Sequence, residues 1–112
     1  VNVTVGNSTD TLTLAVKLGG STLASSPAFD VANAGDVVFY RVVGYWRIVG
    51  AAGKLVVKYA NFSYSGGAGA VGVQSEITLD TTGALALIVT GDWSVASASN
   101  SCKSQAHGYA ID

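Results

Sequence analysis

The chain has 112 residues, of which 49% are hydrophobic and only 12% charged, with a formal net charge of −1. That much apolar matter with so little charge excludes intrinsic disorder. Six Lys+Arg against seven Asp+Glu leave no basic field to hold a phosphate backbone, so nucleic acid is excluded as a partner.

The length suits one domain, 1–112. Leu12, Leu14, Val16 and Leu18 alternate with Thr11, Thr13, Ala15 and Lys17, a strand with one face inward. Gly19-Gly20 ends it as a turn. Residues 21–34 carry loop chemistry, Ser25-Ser26-Pro27 and Asn33-Ala34-Gly35, around one short extended piece near Ala28–Val31.

Residues 36–49, DVVFYRVVGYWRIV, give the longest strand signal. One face carries Val38, Tyr40, Val42, Trp46 and Ile48; the other carries Val37, Phe39, Arg41, Val43, Tyr45 and Arg47. Gly44 interrupts the first face, where a bulge or bend is expected. Gly50-Ala51-Ala52-Gly53 reads as a hairpin loop, and KLVVKYANFSY, 54–64, as the return strand. Its expected core face is Leu55, Val57 and Tyr59, with Val56, Ala60, Phe62 and Tyr64 opposite.

Ser65 to Gly72 reads as a Gly/Ala loop, 73–80 as a strand, and Asp80-Thr81-Thr82-Gly83 as a turn. Residues 84–93 alternate again, 94–101 form a Ser/Ala/Asn loop, and 102–111 read as a last strand. No capped helical stripe occurs. The fold class that follows is all-β: an antiparallel β-sandwich, jelly-roll-like, of about six to eight strands without significant helix, with an immunoglobulin-like sandwich the weaker alternative because the Cys…Trp…Cys pattern is absent.

The single cysteine, Cys102, excludes an intrachain disulfide and reads as a half-buried strand thiol. His107, an odd spacing away, falls on the opposite face of a regular strand. No apolar run reaches the roughly 18 residues of a membrane helix, so no membrane partner is expected. The N-x-S/T matches at Asn2, Asn7 and Asn61 are expected by chance in a chain this rich in Ser and Thr.

Enzymatic chemistry needs converging acids, bases, nucleophiles or metals. The chain has one His and one Glu, its Asp residues sit mostly at turns, and no zinc, EF-hand or nucleophile-elbow motif occurs. The Gly66-Gly67-Ala68-Gly69 run lacks the Lys and helix of a phosphate loop. The expectation is a non-enzyme with no cofactor and no metal.

The informative oddity is that two long strands are apolar on both faces. In a lone sandwich one face meets water. Phe39, Val43 and Tyr45 with Val56, Phe62 and Tyr64 would form a contiguous exposed patch, beside Arg41 and Arg47. Such patches mark interfaces. The expected interface is therefore Phe39, Arg41, Val43, Tyr45, Arg47, Val56 and Phe62, and the expected partner a second copy in a homo-oligomer. The competing readings are a loop, such as 21–35, folded over that face, or a ligand groove. A separate alternative is a carbohydrate-binding or host-adhesion module, with Tyr64, Trp93 and Tyr109 exposed near loops and stacking on glycan.

Several segments together are similar to a family of small β-sandwich domains in virion proteins of tailed bacteriophages, found in head-decoration, head-fibre and tail-fibre proteins. They are LTLAVKLGGSTL at 12–23, the aromatic strand around Tyr45-Trp46-Arg47 with the Gly50–Gly53 hinge, Asp80-Thr81-Thr82, and TGDWSVASASN at 90–100. The resemblance spans roughly residues 10–111. That family's pattern begins with further strands, including an A-N-x-L-x-x-G-D turn, where this sequence has only Val1–Val5; the resemblance thus implies upstream strands missing here or supplied by another chain. It further implies a structural role in the virion, a trimeric homo-oligomer, a neighbouring capsid or tail protein as partner, and no catalytic residues to carry over.

Overall fold

A computed structural model of the chain describes residues 2–4, 10–30, 37–64, 67–71, 75–96 and 100–103, with the side chains of 2–4, 67–71 and 103 left aside. The described residues are all-β, with no helix. The strands are β1 (Asn2–Thr4), β2 (Thr11–Leu18), β3 (Ser21–Ser25), β4 (Phe29–Asp30), β5 (Val38–Ile48), β6 (Gly53–Tyr64), β7 (Gly67–Val71), β8 (Ser75–Leu79), β9 (Leu87–Trp93) and β10 (Ser101–Lys103).

They form two four-stranded antiparallel sheets and a β1–β10 ribbon. The two sheets share a plan. In the first, β2 pairs with β9 along its length on one edge, and with β3 and then β4 on the other. In the second, β6 pairs with β5 along its length, and with β7 and β8 in succession on the other edge. Each long central strand therefore has both edges paired, which satisfies its backbone donors and acceptors.

β2 forms because its alternation places Leu12, Leu14 and Val16 on one face, where all three are buried, and Thr11, Thr13 and Ala15 on the other. Gly19 and Gly20 close the β2–β3 hairpin with φ of 57° and 84°. Positive φ at both central residues is the mirror-image turn whose twist matches the strands, and glycine adopts it without a Cβ penalty. Residues 21–25, expected as loop, instead run along β2 as β3, and the short extended piece expected near Ala28–Val31 is β4. Ser26 spans the gap between them. Its N–H donates to Leu14 O at 2.7 Å, and its Oγ accepts from Leu14 N–H at 2.8 Å. The side chain thus replaces a missing ladder carbonyl, which is why a buried Ser sits beside Pro27.

One apolar cluster takes Leu12, Leu14, Val16, Ala24 and Phe29 from the first sheet and Val38, Ala60 and Phe62 from the second. Leu55, Val57 and Leu79 are buried further along β6 and β8. The Gly67–Val71 segment, expected as part of a loop, pairs with β6 as β7.

The β5–β6 register corrects the expected faces of 54–64. Val43 stands opposite Tyr59 but Gly44 stands opposite Val57, so Lys58 is an extra residue, a β-bulge. An inserted residue shifts the two-residue period. Leu55 and Val57 point inward before the bulge, and Ala60 and Phe62 after it. Tyr59 is thrown outward at 42% exposure, and Phe62 goes to the centre of the core at 0%. Gly44 permits the crossing, because a Cβ there would lie 2.5 Å from Val56 O. A second shift between Trp46 and Ile48 leaves Arg47 unpaired and turns Ile48 outward, against its expected place on the inner face.

Candidate functional site

The outward face of β5–β6 is the feature that stands apart. Phe39 is 61% exposed, Val43 40% and Tyr45 48%, and Arg41 and Arg47 are exposed between them. Residues 21–30 lie along β2, in the other sheet, rather than over this face. Pairing places Ser63 beside Phe39, Asn61 beside Arg41, Tyr59 beside Val43, and Val56 beside Tyr45. Cross-strand neighbours share a face, so these side chains form one surface.

Of the expected interface residues, Phe39, Arg41, Val43, Tyr45 and Arg47 are therefore outward and exposed, and Val56 is half-buried between Tyr45 and Glu76. Phe62 is a correction. The Lys58 bulge puts it in the core, where it is available to no partner. Tyr59 and Lys58 take its place on the surface. The signal that could have placed them was Gly44, a residue without a side chain in the middle of an aromatic strand, facing the inserted residue across the ladder.

Local contacts order this face. The Lys58 ammonium lies 5.9 Å from the centre of the Tyr45 ring, a cation–π distance. Asn61 Nδ2 donates to the Tyr59 hydroxyl at 2.9 Å. Arg47 Nε donates to Glu76 Oε2 at 2.7 Å, an exposed ion pair. That bond holds the Glu76 carboxyl below its ordinary range. Lys54 Nζ donates to Thr78 Oγ1 on the same side. A shallow depression of about 260 Å³ lies among Phe39, Tyr40, Arg41, Tyr59, Asn61 and Ser63. Tyr40 points its ring inward, and its hydroxyl is buried with no hydrogen-bond partner among the described residues. Burial pushes that phenol up.

Of the expected glycan-contact residues, Tyr64 and Trp93 are not exposed platforms. Tyr64 is half-buried against the core, its ring centre 5.0 Å from that of Phe29. Trp93 is likewise half-buried against the core, because its partner in the ladder is the fully buried Leu12. Aromatic rings at inward strand positions are drawn into the core by their area. Tyr109 and His107 lie outside the described residues. Cys102 is a half-buried strand thiol in β10, packed on the core, and burial pushes the pKa of the thiol up. Asn61, one of the N-x-S/T matches, is half-buried in β6.

Among the described residues no group of three or more His, Cys, Asp or Glu is placed to hold a metal ion. No family model matches the chain, and no curated protein or solved structure matches it either.

Proposed function

We propose that this chain is a structural protein that acts by packing the outward face of β5–β6 against other protein surface, as a decoration or fibre component of a virion. The observation that carries the reading is the run of exposed Phe39, Val43, Tyr45 and Tyr59 on one sheet face. At ~25 cal/mol per Å² of apolar surface covered, each such side chain contributes on the order of 1.5–3 kcal/mol when fully buried. A face of this kind left in water is an aggregation hazard, and a partner removes it.

A second observation agrees. Among the described residues, 39–48 of β5 pair only with β6, so a ten-residue, largely apolar stretch forms an edge of the sheet as described. Long apolar edges are ordinarily shortened, charged or covered. The face-to-face sandwich rests on short alternating strands separated by regular turns, and the virion setting on the resemblance of LTLAVKLGGSTL and TGDWSVASASN to phage virion domains. The first of these segments forms the β2–β3 hairpin.

Light scattering on the eluting protein tests the packing. The expected result is a defined oligomer at micromolar concentration that Phe39→Asp converts to monomer with an unchanged far-UV dichroism spectrum. A wild-type monomer at that concentration overturns it. A glycan array bound by the wild-type monomer and lost in Tyr59→Ala would establish adhesion instead.

A further inference from the structure

The charges of this chain are sorted by face. The outward side of the second sheet carries Arg41, Arg47, Lys54 and Lys58, four of the six Lys+Arg in the sequence. Its one carboxylate among the described residues is Glu76, already bonded to Arg47. The outward side of the first sheet is the reverse. Asp30 stands beside Thr11 and Asp92 beside Thr13, so both exposed carboxylates share the face of β2 opposite Leu12 and Leu14. The rest of that face is small and flat: Thr11, Thr13, Ala15 and Thr90, with Lys17 and the exposed Ile88 at its far end.

We propose that the partner of the cationic aromatic face is the acidic small-residue face of a second copy, so that assembly is directional. This inference rests on the packing reading above and adds which surface meets which. Three features match. Protruding rings (Phe39, Tyr45 and Tyr59) meet a surface of Thr and Ala that leaves room for them. The cations Arg41 and Lys58 meet Asp30 and Asp92. The reverse arrangement, in which the cationic face packs on its own symmetry mate, brings Arg41 and Lys58 against like charges and is disfavoured. A contact between two different faces closes into a ring or runs on as a fibre, whereas a two-fold dimer needs one self-complementary face.

The test uses two charge-reversed proteins. Arg41→Glu/Lys58→Glu alters the cationic face, and Asp30→Lys/Asp92→Lys alters the acidic one; all four side chains are exposed, apart from the cation–π contact of Lys58, so both proteins keep the wild-type dichroism spectrum. Each alone is expected to weaken self-association at least tenfold by sedimentation. An equimolar mixture regains association, because the reversed faces complement each other. If Phe39→Asp dissociates the oligomer but Asp30→Lys/Asp92→Lys leaves it intact, packing through β5–β6 stands and the directional pairing is overturned. Failure of the mixture to reassociate overturns it as well. A wild-type monomer removes the packing reading itself.

Discussion

β2 and β5 are both long strands with a buried face, yet their other faces differ. The outward side of β2 is Thr11, Thr13 and Ala15; that of β5 is Phe39, Arg41, Val43 and Tyr45. Both contribute to the same apolar cluster, through Leu12, Leu14 and Val16 in one case and Val38 in the other. Folding alone therefore asks for one apolar face per strand, and β2 supplies only that. Among the described residues the second apolar face of β5 stays largely open: Phe39 is 61% exposed, Tyr45 48% and Val43 40%. Its cost in solubility is left without compensation in the isolated fold, which directs attention to assembly.

The sharpest way to break this contrast is to truncate one phenylalanine on each face. Phe62 is at 0% exposure in the shared cluster. Phe62→Ala is expected to cost about 3–5 kcal/mol, the usual loss for a buried aromatic ring. That is a large part of a small domain's total stability of roughly 5–15 kcal/mol. Phe39→Ala is expected to change monomer stability by less than about 0.5 kcal/mol. Urea unfolding of both variants under conditions that keep the protein monomeric checks the pair. Equal losses would mean that Phe39 is covered by its own chain, and the contrast between the faces would disappear.

Ser26→Ala is the next largest effect. It leaves Leu14 N–H, in the middle of the buried stretch of β2, without its 2.8 Å acceptor. An orphaned buried donor costs about 1–3 kcal/mol. Loss of hydrogen-exchange protection at the Leu14 amide would localise the damage to the gap between β3 and β4, and a Ser26→Thr protein, which keeps the hydroxyl, should recover most of the stability.

The all-β class, the turn at Gly19-Gly20 and the outward placement of Phe39, Arg41, Val43 and Tyr45 were legible in the sequence because they depend on a two-residue period and on paired glycines, both local signals. Phe62 and Tyr59 were not, because their faces depend on where Lys58 is inserted against β5. A bulge is a property of the pairing of two strands: Gly44 marked where one was expected, but a single strand's pattern does not say which residue of the partner is inserted. The half-burial of Tyr64 and Trp93 was illegible for a related reason. Tyr64 and Trp93 lie near loops in sequence, but the partners across the ladder, not the loops, decide burial, and Trp93 is paired with the fully buried Leu12. The short strand β4 falls within the extended piece expected near Ala28–Val31, whereas β3 was hidden because the Ser-rich stretch around Ser25-Ser26-Pro27 reads as loop, while the hydrogen bonds of Ser26 make it part of a sheet edge.

The smallest expected effect lies at the far end of the second sheet, where polar contacts rather than apolar burial hold the loops. Thr81 N–H donates to Gly50 O at 3.0 Å, and Gly50 N–H donates to Thr81 Oγ1 at 2.7 Å, which ties the β5–β6 loop to the turn after β8. Asp80 holds that turn, its Oδ1 accepting from Thr82 Oγ1 at 2.6 Å and from Thr82 N–H at 2.9 Å. The hydroxyl bond first, and then the amide bond, lower the Asp80 carboxyl below its ordinary value. A carboxyl lowered in the folded state adds stability above its unfolded pKa of about 3.9 and loses it as pH falls through the folded value. The stability of the wild-type protein should therefore decline between about pH 5 and about pH 2 more steeply than that of Asp80→Asn. Both carboxyl and turn are exposed, so the difference is small and shows as a change in slope of the urea midpoint against pH. Identical slopes would mean that Asp80 is not bonded to Thr82 in solution and that the Thr81–Gly50 pair alone fixes this end of the sheet.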